Sequence, residues 1–224
     1  MIKGCIFALV VTLAFFHFTH ADLWFQSMLF NAESGQWILS KQEPVARFFF
    51  YDGPRVLIAV LGVVALALLA SQNWIEWARL HRHGLAIVAL SLALVPTTTA
   101  LLKEATNVAC PRKLEAFGGS LPHVDVFDTY PEGSRPEGKQ RCFPASHASA
   151  GFALLSLIFL FRQKRTRLIV GGGTLVTGLV MGAYKMAIGD HFLSHTIVSL
   201  EIAILIIALI VAATGRFLPA QVRR

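Results

Sequence analysis

Long apolar runs separated by short polar joints set the pattern of this chain. Six stretches, about residues 4–20, 56–76, 84–102, 147–162, 168–188 and 192–214, each carry at most one Asp, Glu, Lys or Arg. They are apolar on every side, without the one-sided stripe of a helix that packs on a water-facing domain. At ~1.5 Å of rise per residue, about 20 such residues cross the ~30 Å hydrocarbon layer of a bilayer. The pattern therefore predicts an all-α integral membrane bundle of six transmembrane helices, forming one domain over 1–224. The first run follows Lys3 and resembles a signal peptide, but Phe-Phe-His-Phe-Thr-His is a poor cleavage site, so it is expected to stay as a helix. Pro96 falls inside the third run, where a kink is expected.

The joints differ in character. Lys3, Arg79, Arg82, Arg162, Lys164, Arg165, Arg167, Arg216, Arg223 and Arg224 all fall on one side if six helices alternate. Basic residues concentrate on the cytoplasmic side of membrane proteins, so both termini are expected inside. The opposite side carries the segments 21–55 and 103–146 and a short turn near Gly189-Asp190. Residues 46–54 (ARFFFYDGP) suggest an aromatic element lying in the headgroup region, and the four tryptophans an interfacial belt. The 103–146 loop, with Gly118-Gly119, Pro122, Pro131 and Pro136, reads as turns.

Composition sharpens this picture. Hydrophobic residues make up 55% of the chain and charged residues 15%, against roughly a quarter charged in soluble domains. The net charge of +7 raises nucleic acid as a partner. The basic residues, however, form short clusters between apolar runs and no basic face interleaved with aromatics, so none is expected. Three cysteines are too few for a disulfide scaffold, and their spacing fits no zinc ribbon.

The same topology gathers chemistry on the outer face. Lys103 closes the third run, His147 opens the fourth, Lys185 and Asp190 end the fifth, and His191 opens the sixth. Ionisable residues at that depth are costly unless paired or facing water, and so mark a functional site. His191 and His195 also have the spacing of a metal pair, but there is no Glu between them and a third ligand is unassigned.

Over residues 103–195 these positions resemble the three motifs of the PAP2 (type 2 phosphatidic acid phosphatase) superfamily, in order and with spacing kept. Lys-x6-Arg-Pro is matched by Lys103 through Cys110-Pro111-Arg112, and Pro-Ser-Gly-His by Pro144-Ala145-Ser146-His147. Ser-Arg-x5-His-x3-Asp is matched by Tyr184-Lys185 through His191 and His195. The departures are Cys110 in place of Arg, with Arg112 just beyond Pro111; Ala145-Ser146 for Ser-Gly; Lys185 for Arg; and His195 for the orienting Asp.

The resemblance implies a metal-independent phosphatase, without cofactor, in a bacterial inner membrane with its site facing the periplasm. Its substrate would be a membrane lipid phosphate or pyrophosphate: undecaprenyl pyrophosphate, phosphatidylglycerol phosphate, phosphatidic acid or lipid A. His191 would be the nucleophile, passing through a phosphohistidine, and His147 the general acid and base. Lys103, Arg112, Lys185 and Ser146 would bind the phosphate, helped by backbone N–H groups at the starts of the fourth and sixth helices. His195, one turn beyond His191, would take the orienting role, with Asp190 or Glu201 as other candidates. Alternatives are phosphotransfer to a second lipid, or a relative that only binds lipid or a partner. Cys110 and Cys142 flank motif residues in the outer loop and are expected to form a disulfide that brings Arg112 towards His147.

Overall fold

A computed structural model describes residues 2–215. Arg216, Arg223 and Arg224 of the orientation argument lie outside them. The described chain is mainly helical, with an irregular segment between α6 and α7 and one two-stranded hairpin, β1 (Phe30–Asn31) and β2 (Gln36–Trp37). Its helices are α1 (Ile2–Phe18), α2 (Ala21–Ser27), α3 (Pro44–Arg47), α4 (Gly53–Ala70), α5 (Glu76–Leu80), α6 (Arg82–Thr106), α7 (Ser146–Ala153), α8 (Lys164–Ala187) and α9 (Leu193–Gly215).

Four segments are long and apolar enough to cross a membrane: Pro44–Ala70, Arg82–Lys113, Lys164–Ala187 and Leu193–Gly215. A fifth exists if α1 and α2, bent by 70° to each other, count as one. The segment expected as the fourth span is shorter. It is α-helical over α7 and winds into a 3-10 helix over Leu154–Leu160, whose ~2.0 Å rise per residue gains length from few residues.

The outer surfaces of these helices are apolar. Phe7, Val10 and Phe15 on α1, Val56, Leu57 and Val63 on α4, and Leu168, Ile169 and Val176 on α8 are all exposed. In water such a surface would be unfavourable, and a bilayer is the solvent it suits. Inside the bundle, close approach replaces bulk. A methyl group on Gly151 of α7 would lie 2.8 Å from the Gly178 Cα of α8, the small-residue contact that lets membrane helices pack. Thr99 of α6 and Ser149 of α7 join their hydroxyls at 2.7 Å.

Several local expectations are revised. The aromatic element expected over residues 46–54 is continuous with the helix that follows: α3 runs through one π turn (Phe48–Asp52) into α4. Pro44 sits in the first turn of α3, where its missing N–H costs nothing, and the Glu43 carboxylate accepts the Val45 and Ala46 amides. Phe48 and Phe49 face outwards, whereas Tyr51 is partly buried. Helix α6 continues through Pro96 to Thr106 and closes on Asn107 in the left-handed conformation (φ 51°), so Lys103 lies within its last turn rather than at its end. Trp37 does not join a lipid-facing belt, because it packs with Phe30 and Phe117 beneath the turn at Gly189.

Candidate active site

The turn between α8 and α9 fixes the position of the central histidine. Gly189 adopts φ +74°, and this lets the chain reverse within five residues. The Asp190 and His191 amides both return to the Lys185 carbonyl, at 2.8 and 3.2 Å. His191 is thereby held between two helices and is 3% exposed. Its ring approaches that of His195, in the first turn of α9, with the two Nδ1 atoms 3.3 Å apart.

Two nitrogens at that distance need one N–H between them. When the single proton of a neutral His191 sits on Nδ1 and is donated to His195, the His191 Nε2 keeps a free lone pair. Burial first, and then the charges of His195, Lys103, His147 and Lys185, hold the His191 imidazole well below the usual histidine range. It is neutral at pH 7 and available as a nucleophile.

The other motif segments arrive by backbone tethers. The Cys142 amide donates to the Val108 carbonyl (3.0 Å), and the Ala145 amide to the His195 carbonyl (3.3 Å). Thr106 Oγ1 donates to the Phe143 carbonyl at 2.6 Å. The expected disulfide joins Cys110 to Cys142, with Cα atoms 5.2 Å apart. The disulfide sulfur of Cys142 lies 3.6 Å from His191 Nδ1. Cys142, His191 and His195 are grouped closely enough for a metal, but a sulfur committed to a disulfide is no thiolate ligand.

The cations converge on Asp190. Lys185 Nζ lies 2.9 Å from Asp190 Oδ2, while Arg112 Nε and Lys41 Nζ lie 3.1 and 3.6 Å from Oδ1. Asp190 thus gathers positive groups and does not orient His191. Arg112 reaches the site as expected, but its guanidinium also donates to the Ile188 carbonyl and its amide to Gly189 O at 3.0 Å. Lys103 makes no ion pair among the described residues, although its charge acts on His191.

Tyr51 joins the two halves of the site. Its ring lies 4.6 Å from that of His147 and 4.2 Å from Lys185 Nζ, a cation–π contact. His147 Nδ1 and Ser146 Oγ are both buried and without a hydrogen-bond partner, a state that a bound polar group would relieve. They face a cavity of about 300 Å³ that Arg55, Ile58, Pro96, Ala150 and Met181 also line.

Two expectations about the helix ends need correction. The start of α9 does not offer its amide to a phosphate. Asp22 takes it, accepting the Ser194 N–H at 2.9 Å and the Ser194 hydroxyl. Glu201 is remote from the imidazoles and accepts a 2.7 Å bond from Thr12. Sequence reasoning missed Lys41, Tyr51, Arg55 and Asp22. The first lies in a polar loop and Tyr51 in an aromatic run, with no motif around either. Asp22 is 172 residues from the partner it caps.

A family model of the PAP2 superfamily matches residues 84–218, more than half of the chain. No curated protein and no solved structure matches. The matched span contains Lys103, Arg112, His147, Lys185, His191 and His195, so the chain belongs to the PAP2 superfamily, whose members are generally phosphatases.

Proposed function

We propose that this protein is a metal-independent lipid phosphatase that works through a phosphohistidine on His191. The observation that carries the reading is a buried, neutral His191 beside a cluster of cations contributed by distant segments. A phosphate ester repels anionic nucleophiles, so a neutral imidazole among fixed positive charges suits its chemistry.

In the first step His191 Nε2 attacks phosphorus, an N–P bond forms, and the P–O bond to the leaving group breaks. Lys103 and Lys185 hold the non-bridging oxygens, and Arg112 joins them as it shifts from Asp190 towards phosphate. His147, protonated once the phosphate anion lies beside it, gives that proton to the departing oxygen. It then takes a proton from water, which attacks the phosphohistidine and releases inorganic phosphate. The proton that leaves His191 Nδ1 as positive charge builds on the ring is accepted by His195, and it returns when the N–P bond breaks. A neutral imidazole thus does what a carboxylate does elsewhere, with less charge stabilisation.

A lipid is favoured by where the leaving group must lie. His147 defines the leaving side, and on that side the cavity is lined by Ile58, Pro96, Ala150 and Met181, between helices whose outer faces are apolar. A tail entering sideways would leave its phosphate among the cations, with Arg55 beside the headgroup. Substrates of the membrane branch of the family are undecaprenyl pyrophosphate, phosphatidylglycerol phosphate, phosphatidic acid and lipid A phosphates. We place the protein in a bacterial inner membrane as six spans, α7 with its 3-10 extension being one. Both termini are then cytoplasmic and the site periplasmic, where a disulfide is stable.

The test is phosphate release by purified protein from a panel of these lipids, with EDTA present. The reading expects release from at least one lipid, lost in His191→Ala. Release from no substrate by folded protein would favour a lipid-binding relative. Release abolished by EDTA and restored by zinc would favour metal catalysis instead.

A further inference from the structure

We propose that His17, His123, Asp125 and Asp128 form a binding site for a divalent transition metal of the zinc type, clamping the end of α1 to the 123–128 segment. The site is separate from the phosphate chemistry above and does not depend on it.

His17 Nδ1 lies 3.8 Å from Asp125 Oδ2, and His123 Nε2 lies 3.8 Å from Asp125 Oδ1. His17, Asp125 and Asp128 each offer a ligand atom, all within 4.8 Å of one another. These separations are too long for hydrogen bonds. For His17, Asp125 and Asp128 they approach the ~3.4 Å edge of a tetrahedron with ligand bonds of about 2.0–2.2 Å, so a small inward movement closes these three around an ion, with His123 approaching from the other oxygen of Asp125. His17 Nδ1 is buried and has no hydrogen-bond partner. A ring nitrogen left in that state points to a missing ligand, because buried polar atoms are nearly always satisfied.

The charge balance argues the same way. The groups acting on Asp125 are His123, His17, Asp128 and His20, and Asp125 in turn acts on Asp22; no Lys or Arg is among them. The His17 imidazole and the two carboxylates make a mixed N/O set that suits Zn²⁺, which has no geometric preference of its own, and His123 stands by as a fourth donor.

The placement gives the clamp a role. His17, His123 and Asp125 also line a narrow cavity of about 30 Å³ whose far wall includes Ser194 and His195. A metal here would stiffen the wall behind the catalytic imidazoles without touching them.

The experiment is zinc titration by calorimetry of the full chain in detergent, with affinity tag removed and metals stripped, alongside thermal melting. We expect a zinc equivalent that survives His191→Ala but binds at least roughly tenfold more weakly in His17→Ala and Asp125→Asn. Zinc should raise the melting temperature of wild type and not of those variants. If His17→Ala does not fold, Asp128→Asn, at an exposed position, asks the same question. Wild type that binds no zinc overturns the proposal, and so does binding unchanged in the His17 and Asp125 variants. Binding lost only in His191→Ala would assign the metal to the active site and overturn it equally.

Discussion

Replacing Gly189 with alanine probes the turn on which His191 depends, and the structure allows its cost to be divided in two. The residue sits at φ +74°, where an L side chain costs about 1–2 kcal/mol. An added Cβ would also lie 2.3 Å from Trp37 Cε2 and 2.6 Å from Cζ2. The indole is packed against Phe30 and Phe117 and cannot swing clear, so overpacking adds about 1–3 kcal/mol. Gly133→Ala separates the two parts. Gly133 has φ +81° with nothing within 4 Å of the added atom, so it carries the backbone cost alone. Denaturant unfolding in detergent should show Gly189→Ala destabilised by about 2–5 kcal/mol and Gly133→Ala by about 1–2 kcal/mol. Adding Trp37→Ala to Gly189→Ala should recover the clash part, because residues in contact couple. Equal destabilisation by the two glycine substitutions would refute the claim that the indole supports the turn.

Thiol labelling of native, unreduced protein should modify only Cys5, and labelling at all three cysteines would contradict the Cys110–Cys142 bridge. Because that bridge closes a loop with a sequence separation of 32, reduction should cost about 2–4 kcal/mol of stability. His195→Ala should lower kcat by roughly 10–100-fold, as when a group orienting a working histidine is removed. His195→Asp should retain activity above that of His195→Ala, since a carboxylate accepts the same Nδ1 proton; lower activity would refute the orienting role. Asp190→Asn and Lys185→Met should couple in a double-mutant cycle by roughly 0.5–3 kcal/mol, and additivity would refute the shared cage. His191 lies below the usual histidine range when folded, so the unfolded chain binds the extra proton as pH falls below about 6.5. Stability should therefore decline from pH 7 towards pH 5, and His191→Asn should flatten that decline.

Much of the site was legible in the sequence because spans of known length fix which end of each helix a residue occupies. That argument brought Lys103, His147, Lys185 and His191 to one face and set His195 beside His191. It identified the cysteine pair because both thiols border the same loop. Side-chain direction was beyond it. Asp190 was read as a possible partner for the imidazole, but the left-handed turn at Gly189 aims its carboxylate at Lys185, Arg112 and Lys41. Nor does any periodicity announce that Asp22 caps α9 or that Tyr51 bridges His147 and Lys185. Those contacts exist only once α2 and the α3–α4 junction pack against the bundle. The segment expected as the fourth span shows a different gap: hydropathy marks an apolar run, but not its change from α to 3-10 winding at Leu154.

The most direct test of the account is to trap the enzyme during turnover. Protein mixed with a ³²P-labelled lipid phosphate and quenched in alkali should carry label that is stable to base, labile to acid, and located on His191 by peptide mapping. Label on His191, absent from His191→Ala and accumulating when His147 is replaced, is the predicted result. Turnover of the same lipid with no label on the protein, or with label on another residue, would contradict the proposal that His191 is the nucleophile.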